Sequence, residues 1–118
     1  MKRMLCLILI YLTAINLCSC ALFKTPLDKR TGFSNQLMQT ETHIRNEDWA
    51  KAKTSLKETR KTWSRLKPML QIDIDHDYVN DIEDNFTKLN GYIETQEKPD
   101  SLASILLIRK TWDNIGSL

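Results

Sequence analysis

The feature that most narrows the fold is a seam of residues at helical spacing. Trp49, Ala52, Leu56, Thr59, Trp63, Leu66 and Leu70 recur at alternating steps of three and four. At about 3.6 residues per turn this spacing lines one face of a single helix, and that face must be buried against something. Val79, Ile82, Phe86, Leu89 and Ile93 repeat the pattern, and Leu102, Ile105, Ile108, Trp112 and Ile115 form a third seam. A weaker stripe of Phe33, Leu37, Thr40 and Ile44 precedes them. Only three glycines and three prolines interrupt the 118 residues, so long helices are expected.

The segments between seams are short: around Asn46, from Pro68 to Asp75, and from Lys98 to Asp100. Short connections oblige neighbouring helices to run antiparallel. The expected fold class is therefore all-α, a small antiparallel up-and-down bundle of three or four helices over residues 29–118, behind an N-terminal signal or anchor segment. Asn46 is expected to cap the second helix, with Glu47 and Asp48 in its first turn, and Asp75 to cap the third. Pro99-Asp100 suits the start of the last helix, and Pro68 is expected to end or kink the second near Lys67. No self-similar period near 34 residues marks a helical-repeat array.

Lys2 and Arg3 precede an apolar run, "MLCLILIYLTAINLCSCALF", which has the build of an export signal. It ends in "LCSC", Leu17 to Cys20, which resembles the lipobox of bacterial lipoproteins: leucine at minus three, a small residue at minus one, and the acylated cysteine. Residues 1–19 are thus expected to be a lipoprotein signal peptide and residues 20–28 a tether, with Cys20 lipidated and held by membrane lipid. The alternative is an uncleaved anchor over residues 4–23, roughly 30 Å long as a helix and so enough to cross a bilayer core. Either reading puts the domain on the outer face of the cytoplasmic membrane.

Loss of residues 1–19 removes Cys6 and Cys18 and commits Cys20 to lipid, which leaves no disulfide and no nucleophilic thiol. It also takes Lys plus Arg from 17 to 15 against 15 Asp plus Glu. A neutral chain gives no electrostatic case for nucleic acid.

Charge is nonetheless strongly sorted. Between Ala50 and Lys67 stand seven basic residues and one acid, Glu58; between Asp73 and Asp84 stand six acids and no Lys or Arg. Folded back on each other, these blocks are expected to face, with Arg60 and Glu83 as a solvent-exposed ion pair worth about 0.2 to 1 kcal/mol if the hairpin turns near residues 71 and 72. The basic face could instead meet anionic lipid or a wall polymer. Trp49, Trp63 and Trp112 all lie on seams, so core packing is expected of them rather than a ligand platform.

The acidic stretch invites a metal reading. Asp73, Asp75, Asp77, Asp81 and Asp84 fall at positions 1, 3, 5, 9 and 12 of a calcium loop. Tyr78 stands where glycine is needed, Asp84 is a methylene too short, and Val79, Ile82 and Phe86 keep helical register through the segment. Asp73, Asp75, His76 and Asp77 remain candidate ligands for a transition metal, a set with one histidine where real sites gather three or four firm donors. The chain holds no Ser-His-Asp grouping in a recognisable context, no glycine-rich phosphate loop and no Glu/His pair at metal spacing. No cofactor is implied, and no enzyme is expected.

The runs "EDWAKAKTSLKETRKTWSRL", "DIDHDYVNDIEDNFTKLNGYIET" and "PDSLASILLIRKTWDNI" resemble a group of small helical bacterial proteins gathered as domain-of-unknown-function family 4363. The resemblance covers about Asp48 to Ile115. It implies an all-helical domain behind a signal or anchor, and carries no catalytic residues. The functional expectation is a membrane-anchored lipoprotein of the cell envelope acting as a non-enzymatic interaction or accessory module, with an envelope protein as partner. The alternative is a metal- or ligand-binding lipoprotein using the acidic cluster around His76.

Overall fold

The computed structural model describes residues 27–72 and 74–115, together with Met1, Met4 and Ile8. Four helices make up the bundle: α1 (Phe33–Arg45), α2 (Trp49–Leu70), α3 (His76–Glu94) and α4 (Lys98–Ile115). Each packs on its neighbour in sequence and α1 also packs on α4, which closes an up-down-up-down ring. Its near end carries the start of α1, the α2–α3 connection and the end of α4. The far end carries the α1–α2 and α3–α4 turns. Cys20 and the tether up to residue 26 lie outside the described residues.

The seams become the core as expected. Leu56, Trp63, Leu66, Val79, Ile82, Phe86, Leu89, Ile105, Ile108 and Trp112 are all at most 2% exposed. Trp49 is only half-buried, at the far end, and packs on the core edge. The weak stripe is a full helix whose first residue, Phe33, is wholly buried. One ring from each helix meets there. Phe33 stacks on Trp63 at 5.7 Å between centroids and lies edge-on to Trp112 at 4.8 Å and to Phe86 at 6.4 Å.

A short lead-in holds Phe33 in place. Residues 27–31 form a helical turn that breaks at Gly32, whose φ of 66° lies in the left-handed region glycine enters freely. The Asp28 carboxylate accepts from the Ser34 N–H at 2.9 Å and so serves an orphan donor of α1. Leu27 is buried on the core, so packing begins two residues before the expected 29.

One local expectation fails, and a second fails in part. Asn46 is the C-cap of α1, and the N-cap of α2 is Asp48, whose carboxylate accepts from the Lys51 N–H at 3.3 Å. Asn46 cannot cap α2 because Glu47 turns the chain in left-handed conformation, φ 56°. The N–H groups of Glu47 and Asp48 then return to the carbonyls of Ile44 and His43, a Schellman turn. Pro68 does not stop α2, which continues to Leu70. Only its last turn follows the proline, on an exposed face. Burial of Leu66 and Leu70 outweighs the single backbone bond lost.

The two hairpins, α1–α2 and α3–α4, are copies of one plan offset by 49 residues. Arg60-Lys61-Thr62-Trp63 recurs unchanged as Arg109-Lys110-Thr111-Trp112. The far-end turn recurs as well: Gln96 has φ 58°, and the N–H groups of Gln96 and Glu97 return to the carbonyls of Ile93 and Tyr92. Contacts between the hairpins are reciprocal. The Trp63 indole donates to Glu83 Oε1 at 2.6 Å, the Trp112 indole to Ser34 Oγ at 3.0 Å, and Ser34 and Glu83 are themselves 49 apart. An approximate two-fold along the bundle axis therefore relates the hairpins. They diverge inside: Thr40, Ser55 and Thr59 share hydroxyl bonds of 2.7 and 3.3 Å in the first hairpin, where the second has Leu89, Ser104 and Ile108.

The cap assignment is directly checkable. Asp48→Ala is expected to lower the thermal midpoint, because an orphan donor of α2 loses its acceptor, whereas Asn46→Ala leaves it nearly unchanged.

Candidate functional site

The two-fold exposes the functional asymmetry. Where α4 meets α1, the Glu41 carboxylate is bound by Arg109 from across the interface and by Arg45 Nε at 2.8 Å. Glu41 is only 7% exposed. Burial works to raise its carboxyl, and the hydrogen bonds and charges of Arg45 and Arg109 outweigh this and hold it below its ordinary value. The stripe reading missed Glu41 because it adjoins Thr40 on the helix and counts as polar. Arg109, one step beyond the Ile108 seam position, was the available signal.

The equivalent place between α2 and α3 is built differently. Arg60 stands for Arg109 and Asn90 for Glu41. Asn90 donates its amide to Glu94 Oε1 at 3.3 Å, and Arg60 has no carboxylate within 4.0 Å among the described residues. Beside Arg60, Lys57 and Lys53 lie one and two turns back on the same flank of α2, where the second hairpin has Leu106 and Leu102. Lys53, Thr54, Leu56, Lys57, Glu58, Arg60 and Asn90 line an open groove of about 610 Å³. It holds three cations against the one acid Glu58, and none of the three is ion-paired among the described residues.

The expected Arg60–Glu83 pair is therefore corrected. Glu83 takes the Trp63 indole and, at 3.3 Å, Lys67. The expectation turned the hairpin at residues 71 and 72. The connection instead runs to Asp75, which is extended at φ −53°, ψ 132° before α3 begins, and this brings Lys67 rather than Arg60 beside Glu83. Of the cations on α2, only Lys67 and Lys51 have acidic partners among the described residues, so the basic block is not paired off against α3 as the sequence suggested.

Among the described residues the metal candidates do not converge. Asp75 is the N-cap of α3 as expected, accepting from the Asp77 N–H at 3.2 Å. His76 and Asp77 are exposed in the first turn, and Asp73 lies outside the described residues. Asp81 accepts from Thr111 Oγ1 at 2.7 Å and so belongs to the α3–α4 interface. Positions four to twelve of the supposed calcium loop are helical from His76 onward. No group of three potential metal ligands gathers among the described residues.

Residues 27–118 match the family model described as a domain of unknown function, DUF4363. The chain belongs to this family. The match starts at Leu27, the first buried residue among those described, and spans both hairpins. No curated protein and no solved structure matches significantly. No described helix is long and apolar enough to cross a membrane.

The Glu41 network predicts a pH dependence. A carboxyl held below its ordinary value contributes stability above the unfolded-state value of ~4.3, and that contribution is lost as pH falls through the folded value. Glu41→Gln should cost about 2 kcal/mol at neutral pH in urea unfolding, with the gap to wild type narrowing as pH drops below ~4. A gap independent of pH contradicts the network.

Proposed function

We propose that this protein is a membrane-anchored module of the bacterial cell envelope, tethered through lipid on Cys20 at the outer face of the cytoplasmic membrane, which works by binding a partner and not by catalysis. The observation that carries this reading is the flank of α2: Lys53, Lys57 and Arg60 line an open groove whose one acid is Glu58, and none of the three forms an ion pair among the described residues. The polar groups nearer the interior are spent on structure. Glu41 joins α1 to α4, Asp81 joins α3 to α4, and both cross-hairpin indoles are hydrogen-bonded.

The shape of the bundle supports the anchored reading. Leu27 is packed into the near end, so only six residues separate it from Cys20, a reach of at most about 25 Å. Met69 and Ile72 are exposed at that same end, 52% and 83%, which suits a surface held close to lipid headgroups. The far-end turns then point away from the membrane, and the groove runs along the side of the bundle, open to other envelope components.

Crosslinking in cells from a photoreactive residue at position 57, with one at 107 on α4 as control, tests the binding reading, and the intact mass of the membrane-extracted protein tests the anchor. The proposal expects a defined adduct from 57 and none from 107, on a chain that begins at a lipid-modified Cys20. Equal labelling from both positions contradicts the binding module. An unlipidated chain in the soluble fraction contradicts the anchor.

A further inference from the structure

We infer that the α2–α3 groove receives a carboxylate from an acidic segment of a partner protein, bound at Arg60 in the place that Glu41 occupies against Arg109 in the other half of the bundle. The inference deepens the binding-module reading and rests on it.

Arg60 and Arg109 sit in the same four-residue run, at the same point of their helices, facing equivalent positions on α3 and α1. Arg109 reaches across its interface to a carboxylate. Arg60 faces Asn90, which has an amide in place of that carboxylate and donates a hydrogen bond to Glu94. The guanidinium is thus supplied on both sides of the bundle, and among the described residues a carboxylate partner is supplied on one only.

Two further differences point outward. Leu102 and Leu106 on α4 correspond to Lys53 and Lys57 on α2, so the half that lacks the internal acid has gained two cations beside the unpaired arginine. Lys53, Lys57 and Arg60 occupy positions i, i+4 and i+7 and form a row about 10 Å long, which fits side chains presented one turn apart on an acidic segment. Glu58 also lines the groove and Glu94 accepts from Asn90, and neither forms an ion pair with this row. A carboxylate is preferred over a phosphate because the occupied half of the same protein already shows this arginine holding one.

The test uses the full chain in vesicles of zwitterionic phosphatidylcholine and three probes: poly-L-glutamate, inorganic polyphosphate, and vesicles containing phosphatidylglycerol. Wild type is expected to bind polyglutamate. Arg60→Gln should weaken this about tenfold by removing a charge-assisted contact. Asn90→Glu is the decisive variant, because it restores the internal acid: it should weaken polyglutamate binding by a similar factor while the thermal midpoint holds or rises. Equal polyglutamate binding by wild type and both variants overturns the inference. So does binding of polyphosphate or phosphatidylglycerol that Asn90→Glu leaves intact where polyglutamate fails to bind. These readouts are separate from the mass at Cys20, so the carboxylate site and the anchor can fail independently.

Discussion

Everything in the bundle is arranged around the burial of Phe33. Its ring is fully excluded from water and meets Trp63, Phe86 and Trp112, one from each of the other helices. A chain without a disulfide in its folded part must draw its stability from such contacts. Aromatic pairs at these separations add roughly 0.5 to 1.5 kcal/mol beyond the area they bury. The indole N–H groups would be a liability in such a core, and each is satisfied by a residue of the opposite hairpin, Glu83 or Ser34. The same rings that fill the near end therefore also fix how the two hairpins dock.

The bundle as a whole was legible because its seams are long and regular. Trp63, Phe86 and Trp112 each lie on a stripe of step three and four, and Asp75 stands where a cap is needed. What escaped depends on geometry that spacing does not carry. Asn46 and Asp48 are both good cap residues, and only the left-handed turn at Glu47 decides which helix each serves. The Arg60–Glu83 register failed because one extended residue, Asp75, lengthens the connection and brings Lys67 to Glu83 instead. The 49-residue repeat was hidden because, outside the Arg-Lys-Thr-Trp run, it survives chiefly as matched burial, with Leu37 answering Phe86 and Leu56 answering Ile105.

That repeat gives the charge pattern its meaning. Taken alone, lysines on an exposed helix flank say little, since most are simply solvated. Set against the other hairpin, they mark a place where one copy keeps its acid inside and the other does not. Conversely, within the acidic run that most resembled a ligand site, Asp75 caps a helix and Asp81 and Glu83 make interface bonds. The candidate site thus lies on the basic side of the pair of charge blocks, and the acidic side builds the fold.

The most direct measurement of this account is the urea unfolding free energy of Phe33→Ala, compared with Trp49→Ala at the half-buried far end. If one buried ring holds four helices together, Phe33→Ala should lose about 3 to 5 kcal/mol, clearly more than Trp49→Ala. A loss at Phe33 of under about 1 kcal/mol, or one no greater than at Trp49, would show that the helices are held by something other than the aromatic cluster.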